Sequence, residues 1–425
     1  MKFYFYQIVF THFMTTEKVD VLVIGAGPSG AMAASMVNKN GLKVKIVEKT
    51  LFPRFVIGES LLTRCMDHFE EAGVLDAIKE KGFQVKNGAI FLKGNERCEF
   101  DFSEQHTKGA EWTWQVPRDE FDKVIADKVA SMGVEIEYQA TVTDIQFEGS
   151  ASITTYTDKN DNKKNIEAKF IIDSSGYGRV IPRLLDLNIP SSMPARSTLF
   201  AQFIDINRPD NHESNRIVII AHDPEIWIWI IPFSNGNTSV GFVGNSSFID
   251  KHKGSLEDKF RALIADEPLI KKRFSKEKLK FEPIHIAGYS VAVKKLYGDG
   301  FVLTGNSTEF LDPVFSSGVT FATESGIIAG KLVSKKLKGE HIDWDKEYVK
   351  PINEGIETFR TYIKAWYDGT LHQIFFSDQV DKSIKEKICS VLAGYVWDKS
   401  NPFVTRHKQS ITNLAYFLTK NKFKS

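Results

Sequence analysis

Cysteine is scarce in this 425-residue chain. Cys65, Cys98 and Cys389 stand far apart, without the spacing of a zinc site or the density of a disulfide framework, so neither a metal nor a disulfide is predicted and a reducing cytoplasm fits best. An excess of one charge is missing as well. Fifty-five Lys and Arg against 54 Asp and Glu leave a formal charge of +1, too little to attract nucleic acid or an anionic membrane. Long apolar runs are absent: residues 1–13 are apolar and aromatic but too short to span a bilayer, and no small-residue cleavage site follows them. Residues 1–17 are therefore set apart as an extension, with Met1 and Met14 equally good starts. No internal repeat is visible. What remains is 42% apolar, enough for a large core, and implies an enzyme-sized globular protein of two interleaved domains and a tail.

From Val19 to Glu48 a continuous apolar run, a glycine turn, a small-residue helix and a second apolar run, LKVKIVE, follow within about thirty residues, the pattern of a βαβ unit. Continuous apolar strands are covered on both faces, as in a parallel sheet. A second sheet is predicted between about Arg196 and Val243, where TLFAQFIDI, RIVIIAH, IWIWIIPF and TSVGFVG are separated by turn signals such as Asn235-Gly236-Asn237. With no helices between them these strands pair antiparallel. AKFIIDSSG before that sheet and GFVLTGNS after it return to the first domain, which is thus discontinuous, and after Val319 the pattern is helical.

Gly25-Ala26-Gly27-Pro28-Ser29-Gly30 lies between the first strand and helix, with Glu48 at the end of the next strand and Lys49 after it. Glycines permit a tight turn and a close backbone approach, the helix start attracts a pyrophosphate, and the acid accepts ribose hydroxyls. Together these predict a bound dinucleotide, and Glu48 disfavours a 2′-phosphate. NAD and FAD are not separated by this motif.

Gly305-Asn306-Ser307-Thr308-Glu309-Phe310-Leu311-Asp312-Pro313, followed by Val314-Phe315-Ser316-Ser317-Gly318, resembles the second flavin-binding segment of the flavin monooxygenase superfamily. That resemblance implies FAD, with Asn306 in place of the usual aspartate and Pro313 opening a helix towards the isoalloxazine. Further segments resemble flavin-dependent halogenases of the phenol and pyrrole branch. They are the loop Phe52-Pro53-Arg54-Phe55-Val56-Ile57-Gly58-Glu59-Ser60-Leu61-Leu62, with Thr63 where a proline is usual, and WxWxIP at Trp227-Ile228-Trp229-Ile230-Ile231-Pro232. Phe310, Pro313, Ser316 and Gly318 fit FxxPxxSxG, and LAGYVWDKSNPFV near the end resembles the same branch, so the likeness spans nearly the whole chain from Val19.

The fold implied is mixed α/β: a Rossmann-like FAD-binding domain (18–185 and 286–338, with 80–115 facing the substrate side), an inserted antiparallel-sheet substrate domain (186–285) and a helical C-terminal region (339–425). Arg54, Ile57, Gly58, Glu59, Ser60, Arg118, Asp173, Asn306, Pro313, Ser317 and Gly318 join the glycine turn, Glu48 and Lys49 as expected FAD contacts. The competing account of Arg118 is a helix-start ion pair with Asp119, Glu120 or Asp122, and that of Asp173 a strand-end turn residue. Alternation puts Trp227, Trp229 and Ile231 on one strand face, either as core or as a wall between flavin and substrate completed by Pro232 and Phe315.

Lys86, in Val85-Lys86-Asn87-Gly88-Ala89 after Gly82-Phe83, matches the active-site lysine of the phenol-type halogenases, although Lys79, Lys81 and Lys93 show how ordinary a solvated lysine is here. An ammonium polarises hypohalous acid, and a desolvated neutral amine accepts halogen. The resemblance further places halide at the Ser317 and Gly318 amides. The tryptophan-type enzymes carry a glutamate where this chain has Phe315, which points to a ring activated by its own hydroxyl or pyrrole nitrogen.

The activity implied is halogenation of such an aromatic in secondary metabolism, with the substrate free or tethered to a carrier protein. It uses O2, chloride or bromide, and reduced FAD from a separate flavin reductase. A flavin hydroxylase, an isoprenoid-type flavin reductase and a non-catalytic FAD protein are the alternatives.

Overall fold

The computed structural model describes residues 16–149 and 151–422; the expectations for residues 1–13 and for the choice between Met1 and Met14 lie outside the described residues. The βαβ unit is present as β1 (Thr16–Ile24), α1 (Pro28–Lys39) and β2 (Val44–Glu48). β1 sits between Lys163–Asp173 and β2, parallel to both, and the sheet continues in parallel to Glu135–Tyr138 on one side and Phe301–Leu303 on the other. The sheet is buried on both faces, as its unbroken apolar strands require: Val21 and Val23 enter the main core, while Val19, Leu22 and Ile24 pack below against the hairpin of Thr141–Glu148 and Ala151–Thr157.

The second sheet contains the four expected antiparallel strands, with Asn237–Gly244 between Ser197–Ile204 and Ile226–Pro232, and Arg216–Asp223 on the other side of Ile226–Pro232. It extends beyond residues 186–285. After the short strand β3 (Gln84–Lys86), β4 (Gly88–Lys93) pairs in parallel with Arg216–Asp223, β5 (Glu96–Asp101) joins β4, and Ile284–Ala287 closes the far edge. β3 itself pairs antiparallel with β6 (Thr113–Gln115) in a separate small sheet. Alternation along Ile226–Pro232 sends Trp227, Trp229 and Ile231 into the main core, and Ile228 and Ile230 into a second core under the helices Leu256–Asp266 and Pro268–Phe274.

The 21-residue helix Ser317–Leu337 packs on α1 at backbone distance. A Cβ on Gly326 would lie 2.3 Å from the Ser29 carbonyl and one on Gly330 2.6 Å from that of Ala33, so larger residues would push the helices apart. This approach brings the Gly305-Asn306 segment beside the start of α1, where a Cβ on Gly305 would stand 3.2 Å from the Ser29 Cβ. Among the described residues, no helix is long and apolar enough to cross a membrane.

Candidate active site

The glycine turn is built so that almost nothing else fits. Gly25 has φ +102°, and an added Cβ would sit 2.5 Å from the Ser174 carbonyl; one on Gly30 would sit 1.9 Å from the Gly25 carbonyl. Gly27, by contrast, has an ordinary φ of −66° and half-exposed surroundings, its Cβ position meeting only Arg54 Nη2 at 3.3 Å. Pro28 opens α1, and the buried Ser29 hydroxyl beside it has no protein partner. Glu48 accepts from the Ala26 amide through Oε2 (2.9 Å) and from the Thr50 amide and hydroxyl through Oε1, so the acid braces the turn and keeps lone pairs free. Lys49 is exposed.

The loop 52–60 runs from this turn to the start of the long helix. Arg54 lies over the Phe52 ring (4.5 Å) and pairs with Asp122 (3.2 Å). Arg118 also spends its guanidinium on Asp122 (2.8 and 3.0 Å), with its remaining nitrogen donating to the carbonyls of Ile57 (2.9 Å) and Gly58 (3.2 Å). The helix-start ion pair is therefore present, and it also fixes the loop. Asp173 accepts from the Ser175 and Ile181 amides (2.9 and 2.7 Å) and the Ser307 hydroxyl (3.2 Å), tying the strand end to the Asn306 segment. Asn306, Ile57, Gly58, Pro313 and Gly318 all remain at least partly exposed. A cradle of glycine backbone at a helix start, with an unpartnered serine hydroxyl and a braced acid, fits the diphosphate and ribose of FAD.

Pro313 does not open the long helix directly. It starts a single tight turn, Pro313–Phe315, and Ser316 then takes a left-handed conformation (φ 58°) before the helix begins at Ser317. The Ser317 and Gly318 amides thus stand first in that helix, where no intrahelical acceptor exists. Phe315 packs edge-on against Trp366 and Tyr362.

Both tryptophans of the WxWxIP strand are anchored through their indole N–H. Trp227 donates to the Tyr367 hydroxyl (2.9 Å), which donates in turn to Asp312 (2.9 Å), next to Pro313. Burial pushes the Asp312 carboxyl up to about 6, opposed by the Val314 amide, the Tyr367 hydroxyl and the charge of Arg196. Trp229 donates to Ser239 (3.0 Å), whose hydroxyl lies beside Glu59. Glu59 accepts from Gln202 (2.9 Å), its other oxygen has no protein partner, and burial raises its pKa to about 7. The aromatic strand is therefore clamped at one end to the Asp312-Pro313 turn and at the other to the Gly58-Glu59-Ser60 loop, with Pro232 buried at its end. Tyr367→Phe breaks the first clamp and leaves Asp312 one donor short, for an expected loss of about 1–3 kcal/mol in urea unfolding. An unchanged midpoint would show that the clamp carries no load.

Lys86, at the end of β3, is 1% exposed. Its Nζ donates to the Leu61 carbonyl (2.7 Å) and faces the Phe102 ring (5.6 Å). Among the described residues no carboxylate pairs with it, and burial drives its pKa down to about 7. Lys86 is unlike the surface lysines around it, since exposed Lys79, Lys81 and Lys93 belong to solvent. The sequence reading passed over Tyr367, Asp312, Gln202 and Ser239 as anchors, and Thr113 and Gln115 as buried neighbours of Lys86. No local pattern marks them, because each acts through a partner distant in the chain.

A family model for an FAD binding domain matches residues 18–314, well over half of the chain. A flavoprotein/dehydrogenase from Cytophaga hutchinsonii, known from a crystal structure, is 58% identical, with a TM-score of 0.94 over 96% of this chain and all of that one. A 1H-pyrrole-2-carbonyl-(peptidyl-carrier protein) chlorinase of Pseudomonas fluorescens is 27% identical, covering 90% of this chain and 91% of that protein. The structure of a flavin-dependent brominase is 25% identical with a TM-score of 0.82, over 95% of this chain and all of that one. The chain belongs to the FAD binding domain family, as an FAD-dependent oxidoreductase similar to flavin-dependent halogenases.

Proposed function

We propose that this flavoprotein uses O2 and chloride or bromide to halogenate an electron-rich aromatic ring, phenol-like or pyrrole-like, at the amine of Lys86. The observation that carries the reading is that amine itself: buried, bonded only to a neutral carbonyl, and poised near pH 7 between a charged donor and a neutral nucleophile. FAD, when bound and reduced by a separate flavin reductase, supplies the oxidising chemistry.

The chain's own residues divide the rest. The glycine turn at Gly25, Gly27 and Gly30 holds the diphosphate, Glu48 the ribose, and the 54–60 loop, Arg118, Asp173 and Asn306 enclose the cofactor. The Ser317 and Gly318 amides hold the halide, as partial positive charge at a helix start favours an anion. Trp227 and Trp229, held by their indole N–H groups, keep the aromatic substrate from the flavin, so that hypohalous acid travels and the ring does not. Lys86 hydrogen-bonds the oxidant or, as the free amine, takes the halogen from hypohalous acid with release of water, then gives it to the ring as the ring proton returns to the amine. With Phe315 where a carboxylate base would stand, the ring proton leaves only from a ring activated by its own hydroxyl or pyrrole nitrogen. The chlorinase relative acts on a pyrrole held by a carrier protein, which supports a tethered substrate here.

Mass spectrometry tests this with FAD, a flavin reductase, NADH, O2 and chloride or bromide, offering phenols and pyrroles both free and as carrier-bound thioesters. Halogen isotope patterns that vanish without halide are expected. A halide-independent gain of one oxygen would replace the reading with hydroxylation, and turnover under anaerobic conditions would replace it with a reductase.

A further inference from the structure

The C-terminal helix His407–Lys422 has a face that the reaction does not use. Its inner stripe, Ile411, Ala415 and Leu418, is buried in the main core, and Thr419 donates to Gln373 (3.1 Å) on the short helix Thr370–Phe375. Lys408, Thr412, Tyr416 and Lys420, spaced four apart, form one outward stripe with Phe417 beside it, and all five are exposed. Tyr416 is 61% and Phe417 57% exposed, an adjacent aromatic pair left in water, with the Lys420 ammonium 4.7 Å from the Tyr416 ring. After Asp398 the sequence holds six Lys and Arg and no Asp or Glu, although the charges of the whole chain balance. The pair is therefore set in a basic surface.

Through Gln373 the helix borders a surface cleft of about 300 Å³, lined by Lys93, Glu96, Gly369, His372, Gln373 and Phe376. That is the lower end of the range for small-molecule sites. His372 is buried and its Nε2 has no protein partner. Burial, helped by the charge of Lys93, lowers its pKa to about 4, so the imidazole is neutral at pH 7. Its ring stands edge-on to Trp366 (centroids 4.4 Å apart), and Trp366 stands edge-on to Phe315 (6.0 Å). The cleft thus lies two rings from the start of the long helix.

Charge and geometry choose among occupants. A second copy of this chain would set the basic stripe against itself across a twofold interface, where like charges repel. A membrane surface takes a helix that turns its apolar stripe outward, and here that stripe is spent on the core. An acidic protein suits the face, which offers aromatic anchors between cations that steer the encounter. We infer that the outer face of the C-terminal helix docks an acidic carrier protein, and that the adjoining cleft admits the uncharged arm bearing the aromatic substrate. The inference rests on the tethered substrate proposed above and adds where its carrier binds.

The probe is an acidic peptidyl-carrier protein loaded with pyrrole-2-carboxylate as its thioester, offered to the full chain. Lys408→Glu combined with Lys420→Glu should weaken carrier binding at least tenfold by calorimetry and raise KM for the loaded carrier by a similar factor. The melting temperature, kcat and halogenation of free phenols and pyrroles should not change. Raising the ionic strength should weaken the wild type more than the charge-reversed protein. Gln373→Trp, which fills the cleft, should lower kcat with the loaded carrier and leave binding as it was. Wild-type carrier binding and KM after charge reversal would overturn the docking site, as would a reversal that abolishes only sedimentation with phosphatidylserine vesicles; undiminished turnover in Gln373→Trp would overturn entry through the cleft. Carrier binding that depends on Lys408 and Lys420, in a protein that makes no halogenated product, would uphold the dock and overturn the proposed function. Halogenation of free rings with no carrier binding would do the reverse.

Discussion

Lys86→Met is expected to lower halogenated product by roughly 100- to 10,000-fold, the range for removing a positioned acid or base, while FAD binding and flavin reoxidation by O2 stay intact. Methionine keeps the length and the apolar contacts against Phe102 but supplies neither proton nor nucleophile. Product formation at the wild-type rate would remove Lys86 from the chemistry.

The same variant has a signature in stability. Burial lowers the native pKa of Lys86 from the ordinary 10.5 to about 7, so between these values the unfolded chain binds the proton and the native chain does not. Stability then rises with pH across that window, by up to about 1.4 kcal/mol per unit for a single group, and the penalty of burying the charge is fully present below pH 7. Urea unfolding at pH 6, 8 and 10 should show the rise in the wild type relative to Lys86→Met, and equal slopes would mean that the amine is solvated after all. Glu59 does not confuse the comparison. Its raised pKa makes stability fall between the ordinary 4.5 and about 7, below the lysine window, and it is common to both proteins.

Gly27→Ala should weaken FAD binding by about 30-fold or more, near 2 kcal/mol, with little change in the stability of the apoprotein. Its backbone, at φ −66°, suits alanine, and the new methyl meets only the flexible end of Arg54. The conflict arises only with a diphosphate against the turn. Gly30→Ala is the contrast: its methyl would overlap the Gly25 carbonyl at 1.9 Å whether or not FAD is present, so it should lower the melting temperature of the apoprotein too. Titration of apoprotein with FAD, followed by flavin fluorescence, measures the first effect. If Gly27→Ala binds FAD like the wild type, the diphosphate does not lie on this turn.

The βαβ unit was legible because its signals are local: strand, turn, helix and acid follow within thirty residues, and the structure pairs β1 with β2 in parallel as their unbroken apolar runs require. The alternation of Trp227-Ile228-Trp229-Ile230 likewise foretold two faces, and each face found its own core. Harder to see was that β4 and β5 extend the second sheet. A parallel partner over a hundred residues away leaves no mark in either segment, and the register of Arg216 with Gly88 follows only from how the domains interleave. Ser316 hid for another reason: a serine with φ 58° looks like any other, so the break between Pro313 and the long helix was missed.

Composition and motif alone determined that this is a mixed α/β dinucleotide-binding protein, because a glycine turn that must accommodate a diphosphate constrains residue types at fixed spacing, and such constraints survive in one dimension. The choice of FAD over NAD came from the resemblance carried by residues 305–318. The desolvation of Lys86 was decided by the fold, since the pKa of an amine depends on burial by Phe102, Leu61 and their neighbours rather than on the residues beside it in the chain. The anchors of the aromatic strand, Tyr367 on Asp312 and Ser239 beside Glu59, were decided by tertiary structure for the same reason: a hydrogen bond is a matter of distance, and the groups that make these lie far apart in sequence.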